Sequence, residues 1–143
     1  FQGIEHRQEH VKFINNVEFV NDSKATNIQS VKVAIDSYNK PIILILGGYN
    51  KGADFRLLLP HIKSSNVRDI VSYGDAGGQI NTALGDAVSS VQVTDLNSAV
   101  KKAHSLATPG DIVLLSPGCA SFDQFPNFEV RGNFYKSVVR NEL

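Results

Sequence analysis

The sequence predicts an α/β domain: a Rossmann-like, mostly parallel sheet flanked by helices, with a β-hairpin near its N-terminal end. Three observations predict it. Ile42-Ile43-Leu44-Ile45-Leu46 and Ile112-Val113-Leu114-Leu115-Ser116 are nearly uninterrupted apolar runs bounded by proline and glycine, the pattern of strands buried on both faces. Segments with helical spacing alternate with strand-like segments, which implies parallel strands joined by crossover helices. Asn15-Asn16 separates two loosely alternating stretches, and asparagine tolerates the positive φ of a tight hairpin turn.

The elements follow in order. Residues 9–14 and 17–21 form the hairpin. Ile28, Val31, Ala34, Ile35 and Tyr38 recur at helical spacing, and Thr26 with Gln29 reads as a capping box at the start of that helix. Pro41 precedes the first buried strand. Residues 55–63 read as a helix, 69–73 as a strand, 78–84 as a short helix and 91–94 as a strand. Leu96, Ala99, Val100, Ala103 and Leu106 mark a helix that Thr108-Pro109-Gly110-Asp111 ends. Residues 112–116 form the second buried strand. Residues 128–141 read as a terminal helix with Val130, Phe134 and Val138 on its apolar face.

Composition bounds the function. At 143 residues, 42% apolar and 20% charged, the chain is the size and make-up of one globular domain. Its net charge of zero argues against broad nucleic-acid binding, which needs a basic footprint. No apolar stretch approaches the ~20 residues of a membrane span, and no signal peptide is evident. The single cysteine, Cys119, has no internal disulfide partner, which favours a reducing, cytoplasmic location. The chain opens Phe1-Gln2-Gly3 without methionine and reads as a fragment of a longer protein.

The chemistry sits in loops that follow strands. Asp22-Ser23-Lys24-Ala25-Thr26-Asn27 brings a carboxylate, an ammonium and hydroxyls to the turn between a strand and a helix. Helix capping accounts for Thr26 but not for Asp22 and Lys24. A bound anion would offset the unfavourable placement of a lysine near a helix N-terminus and use its free N–H groups. Gly47-Gly48-Tyr49-Asn50-Lys51-Gly52 is either a plain turn with an exposed lysine or a loop shaped for close approach to a ligand. It is neither a P-loop nor a dinucleotide fingerprint. In Ser116-Pro117-Gly118-Cys119-Ala120-Ser121-Phe122-Asp123, Ser121 with Gln124 has capping-box spacing, and Cys119 reads as a packed thiol rather than a nucleophile. Gly74-Asp75-Ala76-Gly77-Gly78 is a weaker fourth loop. His6-Arg7 precedes the first strand, and Arg7 could clamp a phosphate. Neither zinc-ligand spacing nor a Ser-His-Asp pattern is apparent.

Taken together, Gly3-Ile4-Glu5-His6-Arg7, Asn21 to Asn27, Gly47 to Asp54, Leu114 to Asp123, Asn127-Phe128-Glu129 and Arg131-Gly132 resemble the Mur ligase family, specifically its D-glutamate-adding branch. The likeness runs over essentially the whole chain and matches that family's C-terminal, amino-acid-binding domain; the domains that bind the UDP-sugar and carry the ATP P-loop would lie outside this chain. It implies ATP-dependent, magnesium-assisted joining of D-glutamate to UDP-N-acetylmuramoyl-L-alanine through an acyl phosphate, by a cytoplasmic, monomeric enzyme of peptidoglycan precursor synthesis. The fragment alone would be inactive. Carried over position by position, Thr26, Lys51, Ser121, Phe122 and Phe128 would hold D-glutamate. Lys24 would act near the phosphates or the substrate carboxylate as the catalytic residue. His6, Arg7 and Asp22 would contact the nucleotide, and no residue of this chain is assigned to metal. The chain departs from the common pattern at Tyr49-Asn50, at Gly118, and at Phe122, where leucine is frequent. Two other readings stand beside this one: a carboxylate- or nucleotide-binding module without catalysis, and a domain of a folate polyglutamating ligase.

Overall fold

A computed structural model describes residues 4–143; Phe1, Gln2 and Gly3, the last of which opens the first of the motifs above, lie outside the described residues. The hairpin forms where Asn15 and Asn16 take left-handed φ values of 50° and 61°, the pair of conformations a two-residue turn between twisted strands requires. It joins β1 (Glu9–Ile14) to β2 (Val17–Asn21). The chain continues through α1 (Ile28–Asp36), β3 (Ile42–Gly47), a 3₁₀ turn (Phe55–Leu58) leading into α2 (Leu59–Ser64), β4 (Val67–Tyr73) and α3 (Gly77–Leu84). It ends with β5 (Ser89–Gln92), α4 (Leu96–Leu106), β6 (Ile112–Gly118) and α5 (Phe128–Asn141).

The six strands form one sheet in the order β1-β2-β6-β3-β4-β5, antiparallel only between β1 and β2. Side chains alternate across it, as the strand period dictates. Ile42, Leu44 and Leu46 of β3 join Ile112 and Leu114 of β6 in a core under α1, α2 and α3. Ile43 and Ile45 join Val113 and Leu115 in a second core under α4 and α5. The two apolar runs are therefore the sheet's centre, buried on both faces as their composition requires.

Four local expectations change. Asn27, not Thr26, caps α1: its extended backbone lets the side chain accept from the Ser30 N–H, and Asn is among the strongest N-caps. Ser121 starts a turn rather than a helix, its carbonyl accepting from the amides of Gln124 and Phe125. β5 lies at 89–92 rather than 91–94, because register with β4, Asp69 opposite Ser89 and Ser72 opposite Gln92, decides an edge strand more than its own alternation does. On α5 the buried face carries Arg131, Gly132, Tyr135, Lys136, Val138 and Val139, while Val130 is exposed.

Candidate functional site

β6 inserts between β2 and β3, so the loops after these three strands lie side by side at the carboxyl edge of the sheet, where open α/β sheets bind ligands. Backbone hydrogen bonds tie them together. The Asp22 amide donates to the Leu115 carbonyl at 2.7 Å and the Gly118 amide to the Ala25 carbonyl at 2.8 Å. Tyr49 and Ala120 exchange two bonds, at 2.8 and 3.1 Å. The fourth loop docks through the Ala76 amide on the Gly48 carbonyl at 2.9 Å.

Two of the cavities along this edge take in the residues expected to bind ligands. The smaller, about 210 Å³, is lined by Thr26, Lys51, Ala120, Ser121, Phe122, Asn127 and Phe128. It thus gathers every residue expected to hold the amino acid, from four separate stretches of chain. Ser121 is buried, Thr26 and Lys51 are exposed, and the Lys51 Nζ lies 4.8 Å from the centroid of the Phe122 ring. The larger, about 310 Å³, takes Arg7, Asp22 and Lys24 together with Gln8, Ala25, Asn27, Gln29, Ser30 and Val33. One short loop therefore serves both cavities, giving Asp22 and Lys24 to one and Thr26 to the other. His6 lines neither: it is buried, its Nδ1 paired with the Asn21 amide at 2.9 Å, and its carbonyl accepts from the Lys24 amide. His6 thus sets the backbone that presents Arg7 and Lys24.

Asp22 is the electrostatic centre of the larger cavity. It is 3% exposed, and burial pushes its carboxyl up from 3.8 to about 6 against the lowering effects of the Ser116 hydroxyl, the Gln8 amide and Arg7. The Ser116 Oγ donates to Asp22 Oδ2 at 2.8 Å and the Gln8 amide to Oδ1 at 3.0 Å. Because the folded pKa exceeds the unfolded one, the native state holds this proton more tightly. Asp22 therefore favours folding most below pH 3.8, loses that contribution as pH rises to about 6, and costs a constant amount above. Two pKa units correspond to about 3 kcal/mol. Asp22→Asn should remove this slope. Subtracting denaturant-unfolding free energies of the variant from the parent between pH 4 and 7 isolates it, and parallel profiles would refute the assignment.

Sequence reasoning named Arg131 only within a family motif and gave no role to this residue, which holds the site together. Arg131 is fully buried. Its Nε donates to the Ser23 Oγ at 2.9 Å, one terminal nitrogen to the Ser23 carbonyl at 2.7 Å and the other to the Cys119 carbonyl at 2.9 Å. The Ser23 hydroxyl in turn donates to the Phe128 carbonyl at 2.7 Å. One guanidinium thus joins α5 to the loops after β2 and β6. The available signal was Gly132, a glycine inside a helical pattern, which marks close approach: a Cβ there would stand 2.1 Å from the His6 Nδ1. Asn50 was passed over as well. Its Oδ1 accepts from the amides of Gly52 and Ala53 at 3.1 and 2.7 Å, folding the loop that carries Lys51. Cys119 is buried and its thiol pushed up to about 12 by desolvation, so it stays protonated and packed. A more voluminous cleft, about 780 Å³ between the 3₁₀ turn and α3, contains none of the expected residues; its polar side chains are Asp54, Arg56, Gln79 and Thr82. Among the described residues no group of three or more His, Cys, Asp or Glu side chains could hold a metal ion, and no helix is long and apolar enough to cross a membrane.

Known proteins bear on this geometry. A family model described as "Mur ligase, glutamate ligase domain" matches residues 6–119. The UDP-N-acetylmuramoylalanine–D-glutamate ligase of Clostridioides difficile is 46% identical over 143 residues, covering 99% of this chain and 32% of the relative. The enzyme of the same name from Chlamydia caviae is 45% identical over 139 residues, 97% of this chain and 33% of the relative. The chain therefore spans about a third of the length of the curated relatives it matches. Among solved structures, a bifunctional folylpolyglutamate synthase/dihydrofolate synthase with Mn, AMPPNP and L-glutamate bound superposes with a TM-score of 0.66 at 16% identity, covering 99% of this chain and 32% of that one. That likeness shows a shared fold.

Proposed function

The chain belongs to the Mur ligase family, as its glutamate ligase domain, and on that premise we propose that it is the C-terminal, amino-acid-binding domain of a three-domain ligase that joins D-glutamate to UDP-N-acetylmuramoyl-L-alanine with ATP. The observation that carries the proposal is the smaller cavity. Thr26, Lys51, Ser121, Phe122 and Phe128 are up to 102 positions apart in sequence (Thr26 to Phe128, 128 − 26 = 102) yet line one space. A dicarboxylate asks for such a set: a cation for one carboxylate, hydroxyl donors for the other, and aromatic walls around its methylenes.

The larger cavity supplies the nucleotide end. Arg7 and Lys24 are the cations a polyphosphate needs, and the ionised Asp22 is an acceptor for ribose hydroxyls. This donor set fits ATP. The nucleotide would supply the phosphoryl group that turns the acceptor's carboxylate into an acyl phosphate; magnesium would be held by phosphate oxygens and by the remainder of the ligase. In this reading Lys24 neutralises charge between phosphate and acyl group, Thr26 and Ser121 fix the amino acid, and its amine is thereby aimed at the acyl carbon. The two cavities flank one loop, so residues 22–27 would link nucleotide to amino acid. In this reading the whole ligase is cytoplasmic and monomeric. The folate polyglutamating reading is weaker: its support is a fold likeness at 16% identity, against 45–46% for the D-glutamate ligases.

The test is an NMR titration of the isotopically labelled chain with D-glutamate, L-glutamate serving as control. Amides of Thr26, Lys51, Ser121 and Phe128 should shift with D-glutamate alone. Equal responses to the two enantiomers would replace the proposal with a generic carboxylate site.

A further inference from the structure

Resting on the glutamate reading of the smaller cavity, we infer that Phe122 is a positioning residue for Lys51: its ring holds the ammonium at the cavity mouth, where a ligand carboxylate meets it. The Nζ stands 4.8 Å from the ring centroid, within the ~6 Å over which a cation is drawn to the negative face of an aromatic ring. Both side chains line the cavity. Phe122 is 58% exposed, so most of its ring is unavailable to the core and one face is occupied by the cation. Among the described residues Lys51 forms no ion pair; its placement therefore falls to the ring.

The arrangement has two anchors. Asn50 fixes the backbone on one side of Lys51 by accepting from the Gly52 and Ala53 amides, and its own Nδ2 donates to the Gln79 Oε1 at 2.9 Å. The stem of Lys51 then starts from a defined point, while its four-carbon chain remains free to rotate. The ring supplies the second anchor, at the far end. An exposed cation–π contact shifts a local equilibrium by about two- to five-fold, enough to enrich the productive rotamer. A carboxylate forms a stronger, charge-assisted hydrogen bond with an ammonium. The ligand thus adds its carboxylate to an ammonium that the ring already holds, and part of the ordering that binding would demand is already present.

The contact can be read without any ligand, because methylene protons over an aromatic face are shifted upfield by its ring current. The Lys51 ε-methylene shift is compared in the 143-residue parent, Phe122→Leu and Phe122→Tyr, followed by a D-glutamate titration of each. The parent and Phe122→Tyr should show the upfield position and Phe122→Leu the ordinary lysine position. D-glutamate should bind about two- to five-fold more weakly to Phe122→Leu, with Phe122→Tyr close to the parent. On saturation the parent's Lys51 signal should stay upfield of that of Phe122→Leu. Identical Lys51 shifts in all three proteins, or undiminished affinity in Phe122→Leu, would overturn the inference. Silence of Thr26 and Ser121 in the parent at saturating glutamate would sink the glutamate reading instead, and the ligand-free comparison would still decide the contact.

Discussion

Arg131→Met is expected to lower the thermal midpoint by roughly 10 °C, about 3 kcal/mol in a domain of this size. The Ser23 and Cys119 carbonyls each receive a guanidinium N–H from Arg131. Methionine fills the volume but donates nothing, and each orphaned buried acceptor costs about 1–3 kcal/mol. An opposing effect exists. Arg131 is buried and makes no ion pair with a carboxylate among the described residues, so removing it relieves the desolvation of a cation. The hydrogen bonds should win, because three of the five N–H donors are placed on acceptors at 2.7–2.9 Å. Arg131→Lys should recover only part of the loss, since an ammonium lacks the planar fork that reaches two chain segments at once. Calorimetry checks the midpoint, and amide shifts at Ser23 and Cys119 check the loops. An unchanged or raised midpoint for Arg131→Met would mean that desolvation of the guanidinium dominates.

Gly48→Ala should be comparably damaging, by about 3 kcal/mol from backbone strain and lost hydrogen bonds together. Gly48 has φ +123°, and a Cβ there would stand 2.4 Å from the Ala120 carbonyl oxygen. That oxygen already accepts from the Tyr49 amide at 2.8 Å. The loops after β3 and β6 must then separate, which opens the smaller cavity along the seam between Lys51 and Ser121. Gly52→Ala is the internal comparison. Its φ of +98° carries similar strain, but nothing lies within 4 Å of the added carbon, so it should cost only about 1 kcal/mol. Unfolding free energies of the two variants, with D-glutamate titrations alongside, separate strain from collision. Equal losses would show that the approach of Ala120 contributes nothing.

The parts of the fold that were legible were those that local physics decides. Continuous apolar runs cannot face water on either side, so β3 and β6 are the buried strands. Asn15-Asn16 offers the two left-handed positions of a hairpin. The motif loops were legible as a set, and the cavity residues among them were named from their resemblance to a family. Legibility failed where two local solutions compete. Thr26 and Asn27 can both cap α1, and spacing to Gln29 favoured the former; backbone geometry selected the latter. On α5, Val130, Phe134 and Val138 make a plausible apolar stripe, yet the helix turns Arg131, Tyr135 and Lys136 inward. An arginine reads as surface until partners for its donors exist, and these lie 108 and 12 positions away.

The sequence by itself determined the class of fold, the order of its elements and which loops carry polar chemistry, because apolar periodicity and turn residues act over a few neighbouring positions. Only the tertiary structure decided that β6 slips between β2 and β3, bringing Thr26, Lys51 and Ser121 to one cavity while leaving His6 behind it as a buried support. It also decided that Asp22 titrates near 6, and that one guanidinium closes the site. Strand order, burial and the sharing of hydrogen bonds depend on which distant segments meet, and that is settled by packing the two faces of the sheet together rather than by any run of residues alone.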